Sequence, residues 1–232
     1  MLNEFKNTKS NFKQHRITAD KCLESLTDDE KNELIANKST IEFEVGETII
    51  KHGFVANNIM YIEEGLAKLD IITDGKSATV NLISPNSFIG IVCTFANHNV
   101  NFSATALEKT TISIFDMSLF EKFARQNGDF AFHIIRHMSS VTNDLVHQML
   151  RYSHKNIEGA ISILLRDFSK VYKSNDFTLP ITRVEMAKML GYSKESVINT
   201  LSKFNKEGIL EVHEKHIKIL DTSRLLKISE FS

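Results

Sequence analysis

Hydrophobic and polar positions change their spacing twice along this chain of 232 residues. Residues 41–116 are rich in β-branched and apolar residues and are divided by turn residues at short intervals. Asp74-Gly75 predicts a hairpin between strands at 68–72 and 78–82, and residues 111–115 predict a last strand. Many short strands with regular turns are typical of an antiparallel, jelly-roll-like β-roll. A short helix is expected before the roll, around residues 28–37.

Residues 117–173 change to a helical period. One stripe repeats in alternating steps of three and four, and this heptad spacing predicts a long helix that pairs with a second copy of the chain. The stripe consists of Ala131, Ile134, Met138, Val141, Leu145, Gln148 and Tyr152. A second stripe, on a neighbouring face, consists of Phe132, Ile135, Val146, Met149 and Leu150. One stripe can pack on the roll while the other pairs; the alternative is one broad face of a buried helix.

Two short helices and a hairpin are predicted after residue 178. Thr182 and Glu185 form a capping-box pattern that opens the first helix, and Gly191 ends it. Ser193 caps the second helix, which runs to Gly208 and is followed by strands at 209–212 and 217–220. This order predicts a winged helix-turn-helix. The expected packing residues are Val184, Ala187, Met189 and Leu190 on the first helix and Val197, Leu201 and Phe204 on the second.

The other side of the second helix carries polar side chains that can reach phosphates and base edges. They are Ser193, Lys194, Glu195, Ser196, Asn199, Thr200 and Lys203. Thr182 and Arg183 are expected to hold phosphate, whereas Lys194, Glu195, Ser196 and Asn199 are expected to face bases. The alternative is a helical hairpin with a solvated polar face.

The composition excludes several classes of protein. The net charge of −1 excludes a bulk polycation, although residues 178–232 hold 9 Lys+Arg against 7 Asp+Glu. Two cysteines cannot form a disulfide framework or a four-thiolate metal site. The sequence has no long apolar run and no leader-like N-terminus, so we expect a cytoplasmic protein. It also lacks the common catalytic motifs, so we do not expect an enzyme.

Residues 181–210 resemble the Crp/Fnr family of bacterial transcription regulators, in the spacing of both helices. The roll resembles the family's cyclic-nucleotide-binding-like domain, through Gly46, Gly53, residues 61–65, Asp74-Gly75 and residues 88–90. The resemblance implies an α+β fold with a β-roll in residues 1–116, a dimerisation helix in 117–155 and a winged helix-turn-helix in 156–232. It also implies a homodimer, double-stranded DNA and RNA polymerase as partners, and a palindromic operator.

The sequence departs from the family at two places. Asn199 stands where the recognition helix usually carries an arginine, so the usual operator does not carry over. Nucleotide-binding members of the family carry a glutamate, an arginine and a Thr-Ser pair at three positions of their site. In this chain the glutamate is replaced by Ile91, the arginine by Phe102 and the pair by Leu145-Val146. Cyclic AMP is therefore not expected as the effector. The expected effector pocket is lined by Ile91, Phe102, Leu145 and Val146. Such a pocket suits an apolar or peptide-like effector; the alternative is that side chains of the protein fill it.

The remaining candidates are weaker. His133 with His137 and His213 with His216 have spacings that can hold a metal, but solvated or interface histidines are expected, with no metal and no cofactor. Cys93 is expected to be a buried core thiol rather than a redox sensor. The expected function is sequence-specific DNA-binding transcription regulation. The alternative is a small-molecule or partner-binding module of the same fold without DNA activity.

Overall fold

A computed structural model describes residues 19–55, 57–73, 76–92, 95 and 100–231, except for the side chains of residues 72, 73, 76–78, 80, 148–151 and 153. The helices are α1 (Ala19–Glu24), α2 (Asp28–Ala36), α3 (Met117–Gln126), α4 (Gly128–Ser153), α5 (Ile157–Tyr172), α6 (Arg183–Leu190), α7 (Lys194–Lys206) and α8 (Thr222–Phe231). The strands are β1 (Ser39–Phe43), β2 (Thr48–Ile50), β3 (Asn58–Glu64), β4 (Ala67–Thr73), β5 (Lys76–Ile83), β6 (Ser87–Ile89), β7 (Phe102–Ala106), β8 (Thr110–Asp116), β9 (Asp176–Thr178), β10 (Leu210–His213) and β11 (His216–Ile219).

The N-terminal half is a roll of two four-stranded sheets, with strand orders β1-β8-β3-β6 and β2-β7-β4-β5. Their strand pairs are antiparallel. Apolar side chains such as Ile62, Phe102 and Ile112 form the core of the roll. Strands β4 and β5 pair as the hairpin prediction requires, with Thr73 opposite Lys76, although Asp74-Gly75 lies outside the described residues. Cys93 also lies outside them.

A second core joins the roll to the helices that follow it. Phe120, Phe123 and Phe130 are fully buried and contact one another through their ring edges or faces. They share this core with α1 and with Ile59 of β3. The predicted helical region is divided because Asn127 caps α4 through Phe130 N–H at 3.0 Å. Helix α4 therefore starts beside the roll and is 26 residues long.

The predicted pairing stripe on α4 packs partly within the chain itself. Ile134 is buried in the core that joins roll and helices, and Met138 packs against the same core. At the other end, Tyr152 packs against the core of the C-terminal helices. The second stripe is the one left exposed: Phe132, Ile135 and Val146 are 58%, 60% and 51% exposed. The side chains of Gln148, Met149 and Leu150 lie outside the described residues.

The C-terminal part has its own core, built from α5, α6, α7 and a three-stranded sheet. Its fully buried residues include Leu164, Phe168 and Phe204. Strand β9, which the sequence analysis did not foresee, pairs with β11 and extends the wing to three strands in the order β10-β11-β9. Leu66 and Leu107 of the roll belong to the same core. The α+β fold, with an antiparallel roll followed by a winged helix-turn-helix, is confirmed.

Candidate nucleic-acid interface

The local signals that open and close α6 are present in the structure. Thr182 Oγ1 accepts from Glu185 N–H at 3.2 Å, and Glu185 Oε2 accepts from Thr182 N–H at 2.9 Å, which completes the predicted capping box. Gly191 ends the helix in the left-handed region at φ 73°. Ser193 Oγ then accepts from Ser196 N–H at 3.1 Å and begins α7. The turn between the two helices is therefore short and fixed at both ends.

The packing of the two helices is close to the prediction. Val197, Leu201 and Phe204 are buried, as expected. On α6, however, Val184 is 44% exposed instead of packed, and Met186, which was not predicted, is buried. Thr200 is also buried, so its place on the polar side was wrong. A rotation of 100° per residue places Thr200 beside Val197 and Phe204.

The outward face of α7 is mostly polar. Lys194, Glu195 and Asn199 are exposed there, and Ser196 is half-buried because it lies beside the cap. Ser202 and Lys206 are exposed on the same face and were not predicted. Both follow from helical spacing, since they lie three and seven residues beyond Asn199. A shallow concave surface is lined by Asn199, Ser202, Lys203, Lys206 and Glu207.

Two cations expected to contact DNA have partners within the chain. Arg183 Nη2 donates to the carbonyl oxygen of Glu214 at 2.5 Å, which ties α6 to the turn of the wing. Burial lowers the pKa of the Arg183 guanidinium. Lys203 Nζ lies 2.5 Å from Glu158 Oε1 of α5, and this carboxylate raises the pKa of Lys203. Arg183 therefore positions the wing, and Lys203 must leave Glu158 before it can reach a phosphate.

Histidines flank the turn of the wing. His213 lies opposite His216 in the β10–β11 pair. His213 Nε2 lies 3.1 Å from Glu211, and His216 Nε2 lies 2.9 Å from Asp176 of β9. His137 differs from the expected solvated or interface histidine, because it is buried with its ring against Phe88. The described residues contain no group of three side chains placed to hold a metal ion.

The four residues expected to line an effector pocket differ in their surroundings. Ile91 is buried in the core shared with α1, α3 and α4, whereas Phe102 is buried in the core of the roll. Val146 is exposed and Leu145 is half-buried on α4. The Phe102 ring lies so close to Gly90 that a Cβ at that position would be 2.1 Å from the ring. An effector pocket formed by these four residues therefore stays a prediction.

An ion pair connects the roll to α6. Lys68 Nζ of β4 lies 2.8 Å from Glu185 Oε1 and 3.7 Å from Asp70 Oδ2. Burial raises the pKa of Glu185, but hydrogen bonds from Lys68 and Thr182, with the Lys68 charge, lower it overall to about 2. The residue that completes the α6 cap therefore also contacts the roll.

Within the described part of the chain, no helix combines the length and the apolar character that a membrane span requires.

Comparisons with known proteins place this geometry in a family. Residues 40–127 match the cyclic nucleotide-binding domain, and residues 158–228 match the Crp-like helix-turn-helix domain. The transcriptional activator protein FnrL of Cereibacter sphaeroides is 27% identical over 200 residues, covering 80% of this chain and 78% of that protein. The transcriptional activator protein FnrA of Stutzerimonas stutzeri is 24% identical over 190 residues, covering 79% and 78%.

Solved structures agree on the fold. FixK2 from Bradyrhizobium japonicum superposes with a TM-score of 0.74 at 18% identity, covering 84% of this chain and 98% of that one. A CRP-family transcriptional regulator from Thermus thermophilus gives 0.69 at 16% identity, covering 82% and 96%. Both matched domains, in this order, define the class of protein. The chain belongs to the Crp/Fnr family, whose members are DNA-binding transcription regulators and not enzymes.

Proposed function

We propose that this regulator acts as a homodimer on a two-fold-related operator and that its effector is not cyclic AMP. Each subunit inserts α7 into a major groove, and the half-sites are about one helical turn apart. The observation that carries the proposal is the exposed polar face of α7, held at a fixed angle by the Ser193 cap and by the packing of Val197, Leu201 and Phe204.

Base contacts are assigned to the N-terminal half of α7. Lys194 can donate to guanine or phosphate, Glu195 can accept from cytosine N4, and Asn199 can pair with adenine. Ser196 can bond to several bases, while Thr182 is assigned to phosphate at the start of α6. Because Lys194 and Asn199 present different donors from arginine, we expect an operator that differs from the usual one.

Replacing Glu195 tests this assignment. Glu195→Ala should relax the preference at one base position of each half-site and change affinity for the other positions little. Operators selected from random DNA by the two proteins, compared position by position, provide the measurement. Glu24→Ala removes an exposed carboxylate from α1 and is the matched control. If Glu195→Ala weakened binding to all DNA sequences equally, that result would contradict a role of Glu195 in base recognition.

The dimer is assigned to the exposed stripe of α4. Phe132, Ile135, Ser139, Thr142 and Val146 follow one another in steps of three, four, three and four, which is heptad spacing. The Ser139 and Thr142 hydroxyls donate to backbone carbonyls four residues earlier, at 2.8 and 2.9 Å, so neither needs a partner across the seam. Pairing of two such stripes would bury the three large apolar side chains.

A charge in this stripe tests the dimer. Ile135→Lys should shift the sedimentation coefficient at micromolar concentration from that of a dimer to that of a monomer and reduce operator affinity. Ile35→Lys places the same charge on α2, where the isoleucine is 67% exposed, and should leave the dimer intact. An unchanged dimer for Ile135→Lys would show that another surface pairs.

The lack of a cyclic nucleotide response is supported by the packing around Gly90. Phe102 occupies the position of the arginine of nucleotide-binding members and lies against Gly90. The neighbouring Ser103 Oγ already accepts from the backbone N–H of His52 at 3.0 Å. A phosphate buried here without a cationic partner would cost several kcal/mol. Any effector should therefore be largely apolar or peptide-like.

Calorimetric titration with cyclic AMP and cyclic GMP tests this part of the proposal. We expect no heat of binding at micromolar concentrations and no change in operator affinity with either nucleotide. Micromolar binding that tightens DNA binding would overturn the assignment of Phe102.

Two further expectations stay predictions: RNA polymerase as a partner of this regulator in addition to DNA, and a location in the cytoplasm.

A further inference from the structure

One apolar side chain interrupts the polar surface of the recognition helix α7. Ile198 is 44% exposed, whereas the other large apolar residues of α7 point into the core and are buried. The remaining exposed positions of this helix are all polar: Lys194, Glu195, Asn199, Ser202, Lys203, Asn205 and Lys206. An isoleucine at this place gains only part of its burial free energy on folding, because 44% of its surface stays exposed.

Its position puts Ile198 within the surface that would face DNA. On a helix, residues three and four apart are neighbours, so Ile198 lies beside Lys194, Glu195 and Ser202. It also lines a second concave surface with Arg183, Leu201, Ser202, Asn205 and Val212, between α7 and the wing. Ile198 thus stands one turn beyond Lys194, on the side of α7 that faces the wing.

We infer that Ile198 contacts the C5-methyl group of a thymine in each half-site. The inference rests on the proposed function and adds an apolar element to its polar readout. Among the four bases, thymine alone presents a methyl group in the major groove, and apolar side chains contact it there. Isoleucine is branched at Cβ, so its side chain is held near one rotamer on a helix and loses little freedom on contact.

The size of the effect follows from the burial of one methyl group. Removing such a group from water changes a binding constant by a factor of about four. A dimer that makes the contact in both half-sites should therefore lose affinity by about fifteen-fold when both methyl groups are removed.

Uracil provides the probe, because it pairs like thymine and differs only by the missing methyl group. The operator selected by the full-length protein is synthesised with uracil at each thymine position in turn, symmetrically in both half-sites, and binding is followed by fluorescence anisotropy at fixed salt. Wild type should weaken by about fifteen-fold at one symmetric pair of positions. Ile198→Ala should bind thymine and uracil operators equally at that pair.

Val184→Ala is the matched control, since Val184 is also 44% exposed but lies on α6. This variant should keep the wild-type discrimination between thymine and uracil. Wild type that shows no uracil effect, an operator without thymine, or an unchanged uracil effect in Ile198→Ala would each overturn the inference while leaving sequence-specific binding intact. Failure of wild type to prefer any sequence would instead overturn the proposed function, and this inference with it.

Discussion

Replacing Lys68 by methionine should destabilise the whole protein and weaken the connection between the roll and α6. Lys68 is 15% exposed and neutralises two carboxylates, Glu185 at 2.8 Å and Asp70 at 3.7 Å. Methionine keeps the length and apolar stem of the side chain but leaves both carboxylates without their cation. Breaking a half-buried pair in this way costs more than losing an exposed one.

The magnitude follows from Glu185. Its pKa falls from 4.5 to about 2 in the folded state. At 1.36 kcal/mol per pKa unit, all the groups that hold this carboxylate contribute at most about 3 kcal/mol. Thr182 supplies part of that through its N–H and hydroxyl, and solvent screens a side chain that is 30% exposed. We therefore expect Lys68→Met to lower the free energy of unfolding by about 1 to 2 kcal/mol at pH 7.

The pH dependence separates charge from packing. Because the folded-state pKa of Glu185 lies below its unfolded value, its stabilisation is present above about pH 4.5 and is lost as the pH falls towards 2. Urea unfolding of wild type and Lys68→Met at several pH values should show a difference that shrinks through this window. Lys109→Met removes the exposed pair with Glu42 and should have no measurable effect. A Lys68→Met difference that stays constant down to pH 2 would refute the electrostatic reasoning.

Three further changes test the packing and the caps. Gly90→Ala should cost about 2 to 4 kcal/mol in urea unfolding, because its Cβ would lie 2.1 Å from the Phe102 ring; adding Phe102→Leu should recover part of the loss, and no recovery would mean that the φ of 66° at Gly90 alone is responsible. Phe204→Ala should cost about 3 to 5 kcal/mol, since Phe204 is fully buried; a change in thermal stability no larger than that of Phe54→Ala, at a phenylalanine that is 62% exposed, would contradict this. Thr27→Ala should cost about 1 kcal/mol through loss of the α2 capping box, measured by urea unfolding, and a neutral result would show that Glu30 caps the helix alone.

The order of elements could be predicted because its signals are local. The capping box joins Thr182 to Glu185, three positions later, and the Ser193 cap of α7 joins residues with the same separation. Such contacts depend on neighbours that the sequence places together in any fold. The two helices of the DNA-binding half, and the turn between them, follow from these signals without knowledge of the rest of the chain.

Partners that are distant in sequence could not be predicted. Arg183 bonds a carbonyl 31 residues away, and Lys203 bonds a carboxylate 45 residues away. Both residues carry a positive charge that suits a phosphate contact. The sequence does not show, however, that each side chain already binds an oxygen of the same protein. Ile91 and Phe102 follow the same rule, since Ile91 follows strand β6 and Phe102 begins β7, and their side chains enter different cores.

The α4 stripes show that a heptad period alone does not identify which face of a helix is exposed. The predicted stripe and the exposed one differ by a single residue, which is a rotation of 100° about the helix axis. Both stripes follow steps of three and four and carry several apolar groups, so the spacing alone fits either as the pairing surface. The rotation of α4 is decided by Phe130, which is buried against Phe120 and Phe123 immediately after the Asn127 cap. Anchoring Phe130 turns Ile134 towards the roll, four residues later, and leaves Ile135 facing outwards.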